Sequence, residues 1–173
     1  MILIKDNIDL FTLEEKDILQ KKCSLFTNND SPAKKENFVN YYVREYVNKD
    51  DTEFQTIISK INNYVIKTSK KDNINLTGFW INKITNETNK NDDFHKDYSD
   101  ITFLMYLNDE FIGGEYEYIA PESKIKSKIK PKKYLSIITD KNISHRVNPV
   151  LEGERYSIVF FYDINKKINK SLI

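Results

Sequence analysis

From residue 75 onward the chain breaks into seven short runs rich in strand-forming residues, separated by turn signals. That pattern admits an antiparallel β architecture and little else. The runs are 75–84, 101–107, 115–119, 124–130, 134–139, 144–147 and 155–162. Gly113-Gly114 marks a turn that needs positive φ, which glycine meets without a Cβ clash. Along 124–130 lysine alternates with Ile125, Ser127 and Ile129, so a strand there carries its lysines on one solvated face.

The first seventy residues read as helical instead. Thr12-x-x-Glu15 has the form of a capping box and predicts a helix over about 13–22. Ser31-Pro32 is a second start signal, followed by Phe38, Val39, Tyr42, Val43, Tyr46 and Val47 at helical spacing. Asp50-x-x-Glu53 opens a third helix with Phe54, Ile57, Ile58, Ile61, Tyr64 and Val65 on its apolar face. Helices ahead of seven strands predict a mainly β fold, a double-stranded β-helix or jelly roll buttressed by α-helices. We expect one domain over 1–173, with a helical support region to about 72 and the β core over about 73–165.

Lysines and arginines nearly balance acids, at +1 net, which argues against a dedicated nucleic-acid or membrane-surface binder. No signal-like or membrane-spanning stretch is visible, so the expected location is cytoplasmic. The single cysteine, Cys23, fits a reducing compartment and reads as a small packing residue near a helix end.

Chemistry concentrates around the two histidines. His95-Lys96-Asp97 offers an imidazole and a carboxylate from alternate positions of one extended segment, whose side chains point the same way. His145, fifty residues on, can supply a third ligand from a strand folded back beside it. The three make a two-histidine, one-carboxylate set of the kind that holds non-haem Fe(II) with positions left open. Ten residues after His145 stands Arg155, one of three arginines, at the head of the apolar run Tyr156-Ser157-Ile158-Val159-Phe160-Phe161-Tyr162. Buried there it needs an anion, which it can pair bidentately. Ser157 faces the same side as Arg155 in a strand and could donate to the same carboxylate.

With these residues the chain resembles the Fe(II)- and 2-oxoglutarate-dependent dioxygenases, in particular their prolyl and lysyl hydroxylase branch. The likeness runs from about Leu76 to Asp163. Tyr106-Leu107-Asn108 with Gly113-Gly114-Glu115 is similar to the family's paired strands, and His145 through Val150 with Gly153-Glu154-Arg155-Tyr156 is similar to its distal histidine and cosubstrate anchor. The resemblance implies His95, Asp97 and His145 as iron ligands. It implies Arg155 as the anchor of the distal carboxylate of 2-oxoglutarate, with Tyr106 and Ser157 as further cosubstrate contacts. It implies Fe(II), 2-oxoglutarate and dioxygen, and leaves ascorbate open as an additional requirement. The implied reaction hydroxylates an unactivated C–H bond, with a prolyl or lysyl side chain of a protein or peptide as first substrate and a free amino acid or other small molecule as second. The superfamily's DNA-repair demethylases carry an arginine six residues after the anchor, where this chain has Phe161, so no nucleic-acid partner is expected.

The tyrosine-bearing stretch usual before the His-x-Asp is not matched; a polar loop over 85–94 stands there as a candidate lid. Trp80 and Asn82 alternate along the first core strand and are candidates for facing the pocket. A cupin-like metalloenzyme that does not use 2-oxoglutarate would have no need of Arg155, and a non-catalytic cupin-like binding module would need neither Arg155 nor Asp97. Oligomeric state stays open.

Overall fold

The computed structural model describes residues 1–6, 8–24, 34–35, 38–41, 52–87, 93–122 and 124–164. Its elements are β1 (Ile2–Lys5), α1 (Leu13–Ser24), β2 (Lys34–Lys35), β3 (Phe38–Tyr41), α2 (Thr52–Ser69), β4 (Ile74–Thr85) and β5 (Ile101–Tyr106). There follow β6 (Phe111–Gly113), β7 (Tyr116–Ile119), β8 (Lys126–Ile129), β9 (Ser136–Asp140), β10 (Ser144–Val147) and β11 (Val150–Ile164).

The strands form two antiparallel sheets. The larger runs β1-β9-β5-β11-β4-β3-β2, with β6 paired to the early part of β11; the smaller runs β10-β7-β8. Residue parity divides the larger sheet between two cores. Phe79 and Ile81 of β4, Ile101, Phe103 and Met105 of β5, Ile138 of β9, and Ile158, Phe160 and Tyr162 of β11 pack against the helices. Their alternate neighbours, Leu104, Ile137 and Val159, pack with Tyr116 and Ile129 of the smaller sheet in a second core between the sheets. A jelly roll with helices on its outer face is the arrangement expected from the strand pattern.

The helices are seated where their sequences direct. The Thr12–Glu15 capping box forms: the Glu15 amide donates to Thr12 Oγ1 at 3.3 Å and the Thr12 amide to Glu15 Oε2 at 2.8 Å. Along α2, Phe54, Ile57, Ile58, Ile61 and Val65 are buried, each removing apolar surface from water at roughly 1.5–3 kcal/mol per side chain. Tyr162 donates to Asn62 Oδ1 at 2.8 Å, tying β11 to α2. Among the described residues no helix is long and apolar enough to cross a membrane.

Several expectations are corrected. The region before residue 73 is not wholly helical. β1 pairs with β9, and residues 38–41, expected in a helix, form β3 on the open edge of β4. That edge presents a row of backbone donors and acceptors, and pairing with it outweighs the helical spacing of the side chains. Tyr42, Val43, Tyr46 and Val47 of that expected helix lie outside the described residues, as do the Ser31-Pro32 and Asp50 start signals. β11 begins at Val150 rather than Arg155. Gly153, with φ 81°, stands within the strand, where its register on β6 is irregular. On β8, Lys126 and Lys128 are exposed and Ile129 is buried, as the alternation predicts.

Candidate active site

His95 and His145 are joined backbone to backbone. The His95 amide donates to the His145 carbonyl at 2.9 Å and the His145 amide donates back at 2.8 Å, an isolated antiparallel bridge on the edge of the smaller sheet. Residues directly opposed in this way project from the same face, and the two imidazole centroids are 4.6 Å apart. Asp97 joins them, and one ligand atom from each of the three lies within 4.8 Å of the others. The three residues singled out in the sequence are thus brought together.

Their surroundings fix which atoms face inward. His95 Nδ1 lies 2.9 Å from the Asp93 carbonyl and His145 Nδ1 3.3 Å from the Ile143 carbonyl. A carbonyl only accepts, so each Nδ1 carries the proton and each Nε2 keeps its lone pair for a metal. Thr102 donates to Asp97 Oδ2 at 2.6 Å, and that oxygen is 3.7 Å from His145 Nε2. Tyr116 stacks on His145, centroids 5.0 Å apart at 16°. Burial pushes the Tyr116 phenol above its ordinary range, against a Thr139 hydrogen bond that favours the charged form, so it stays a neutral ring partner.

Between the sheets lies a cavity of about 440 Å³, lined by this triad, by Ile84, Leu104, Ile137 and Val159, and by Asn82 and Arg155. Arg155 is 1% exposed, yet its Nε and Nη2 have no hydrogen-bond partner. The β4-β11-β5 register sets Asn82, Ser157 and Tyr106 in one row across three strands. Asn82 Oδ1 and Ser157 Oγ are likewise buried and unpartnered, and the buried Tyr106 hydroxyl has only a loose contact with the Arg155 guanidinium. Each such atom costs roughly 1–3 kcal/mol, and a lone buried guanidinium more. The costs at the guanidinium and the two hydroxyls, which are donors, disappear if an anion sits among them; the Asn82 carbonyl oxygen, an acceptor, needs a donor instead. Two hydroxyls and a guanidinium fork match a carboxylate, so these residues fit 2-oxoglutarate as the triad fits Fe(II). The guanidinium carbon lies 4.9 Å from the Tyr106 ring centroid; burial raises the phenol's pKa, with the Arg155 charge opposing. Asn82 and Arg155 reach the cavity lining, whereas Ser157 and Tyr106 are fully buried off it.

Gly114 makes room for Arg155. Its φ is 67°, and a Cβ there would lie 3.0 Å from Arg155 Cδ and 2.9 Å from Phe111 Cε2. On the other side of the triad a second depression of about 400 Å³ shares Trp80, His95, Asp97 and Phe161 with the first and adds Thr77, Gly78, Lys96, Tyr98 and Ser99. Trp80 and Phe161 pack with centroids 4.3 Å apart, and Tyr98 is fully exposed. Gly78 has no positive φ, and a Cβ there would meet only Trp80 Cζ3 at 3.9 Å, so this glycine leaves space rather than serving a turn.

Trp80 and Asn82 face the cavity as their alternation suggested. Thr102 and Tyr116 escaped the sequence reading. Their one signal is parity, Thr102 with Leu104 and Tyr106 and Tyr116 with Gly114, and it shows only once the strands are in register.

Residues 79–163 match the family model described as the 2OG-Fe(II) oxygenase superfamily. No curated protein matches the chain. Among solved structures it is similar to a viral collagen prolyl hydroxylase from Paramecium Bursaria Chlorella virus-1, at 19% identity and TM-score 0.65 over 95% of this chain and 90% of that one. It is similar also to a prolyl 4-hydroxylase from Phytophthora capsici, at 16% and 0.72 over 96% and 59%. A third is HygX from Streptomyces hygroscopicus, solved with nickel, 2-oxoglutarate and hygromycin B, at 11% and 0.68 over 95% and 83%. The segment from Phe79 to Asp163, which holds the histidine pair, Asp97 and Arg155, is thus a 2OG-Fe(II) oxygenase domain, that of a dioxygenase that uses Fe(II) and 2-oxoglutarate.

Proposed function

We propose that the chain is a hydroxylase in which His95, Asp97 and His145 hold the iron and Arg155 receives the distal carboxylate of 2-oxoglutarate, with Ser157 and Tyr106 as its neutral donors. The observation that carries this reading is Arg155, buried in the same cavity as the triad with two nitrogens that lack a hydrogen-bond partner, while the Ser157 and Tyr106 hydroxyls are buried just off that cavity's lining. When bound, iron and 2-oxoglutarate supply the oxidising chemistry: dioxygen and 2-oxoglutarate give succinate and carbon dioxide while one oxygen atom enters a C–H bond. The protein's own groups prepare the site for this. Arg155 replaces lost water around the cosubstrate's far end, and Thr102 fixes the Asp97 carboxylate through Oδ2. Leu104, Ile137 and Val159 keep the cavity walls dry.

The substrate is a prolyl or lysyl side chain of a protein or peptide, entering over Gly78 onto the Trp80–Phe161 pair. The open depression past Tyr98 supports this, since it leaves room for chain on either side of a reacting residue. A small-molecule substrate is the second reading, favoured by the likeness to an enzyme solved with hygromycin B.

The test is spectroscopic. Iron-loaded protein kept free of oxygen is titrated with 2-oxoglutarate, and the weak visible charge-transfer band of the chelate is followed. The wild type gives the band at low cosubstrate, and Arg155→Ala needs at least roughly thirty-fold more, because a buried charge partner is lost. An iron-loaded wild type without the band would sink the assignment of these residues.

A further inference from the structure

We propose that Phe94 is a positioning residue, clamped on the outer face of the smaller sheet so that His95 is held inside it, an inference that rests on His95 being an iron ligand as set out above. The three ligands are unequally supported. His145 is buried in β10 under the Tyr116 ring, and Asp97 is tied to Thr102. His95 is exposed and belongs to no strand; its backbone meets β10 through an isolated bridge. A second attachment therefore matters most for this residue, and its chain neighbour provides one.

The clamp is built from all three strands of the sheet. Register sets Arg146 of β10 beside Glu117 of β7, on the face opposite His145 and Tyr116. Arg146 donates from Nε to Glu117 Oε2 at 2.6 Å, its Nη2 pairs with the same oxygen at 2.6 Å, and Glu117 is buried. That pairing fixes the guanidinium, whose carbon lies 4.7 Å from the centroid of the Phe94 ring. Lys126 of β8 brings its ammonium to 5.2 Å from the same centroid. Two cations thus grip one aromatic ring, an attraction that strengthens as the cations lose water. Successive residues of an extended segment point to opposite sides. Holding Phe94 outside turns His95 inward, toward His145 and Asp97.

The prediction separates positioning from mere folding through metal affinity and rescue. Mn(II) binding is measured by the loss of the free-ion EPR signal for wild type, Phe94→Ala and Phe94→Tyr, and amide hydrogen exchange at His95 and His145 is measured on the metal-free proteins. Phe94→Ala weakens Mn(II) about ten-fold, the scale set by groups that orient a metal's ligands, and speeds exchange at both amides; Phe94→Tyr, which keeps the π face, restores both. Unchanged Mn(II) affinity and unchanged exchange in Phe94→Ala overturn the clamp. A wild type that takes up no Mn(II) overturns the ligand assignment instead, and the exchange data then decide separately whether Phe94 fastens the bridge.

Discussion

A guanidinium with two buried, unpaired nitrogens is tolerable only where something anionic comes to meet it, and the geometry around Arg155 shows how little freedom that leaves. Gly114 sits with φ 67° beside its Cδ. Alanine there brings left-handed strain of about 1–2 kcal/mol and a methyl that displaces the arginine. Gly114→Ala should therefore lower the denaturation midpoint and weaken 2-oxoglutarate much more than metal. Equal losses for the two ligands, read by calorimetric titration of each, would show that Gly114 serves only the turn. The groups proposed for the site were legible in the sequence, because two histidines, an aspartate two residues on and a rare arginine in an apolar run are chemically specific. Thr102 and Tyr116 were not. A threonine and a tyrosine in strands are ordinary strand formers, and their value comes from which residue lies across the register.

At the scale of elements, α1 is fastened by a charge as well as by its cap. Burial presses the Glu15 carboxyl upward, but the Lys60 ammonium at 2.7 Å and the Thr12 amide outweigh it and leave the pKa below the ordinary 4.5. A depressed folded value stabilises the fold above the unfolded pKa, and that contribution fades as pH falls from about 4.5 through the folded value. Glu15→Gln keeps the cap and removes the charge. It should cost about 0.5–1 kcal/mol at neutral pH, and its stability should converge on that of the wild type in acid. Urea titrations at pH 7 and pH 3 would detect the difference; a constant gap between the proteins would refute the linkage. Elements with strong local rules, the capping box at Thr12, the α2 stripe and the strands from β4 onward other than β6, could be read from the chain. β1, β3 and β6 could not be, since each is a short segment whose state is decided by a partner strand distant in sequence.

For the molecule as a whole, the two cores make one testable unit of the helices and the larger sheet. Cys23 is buried in the outer core with Phe54 and Ile57, and burial pushes its thiol up to about 12, against a pull from Lys133. A thiol so placed is almost wholly protonated at pH 8. Reaction with an aromatic disulfide reagent at that pH should wait for unfolding and track loss of near-ultraviolet circular dichroism; labelling within minutes in native buffer would mean that α1 undocks on its own. Trp80 carries a different consequence. It is the single tryptophan of the chain and lines both depressions beside the triad. The indole emission of the whole protein is therefore a local signal, arising beside the proposed site of iron, cosubstrate and substrate. Occupancy of that place can be followed by intensity and colour, without a label and without background from any other indole.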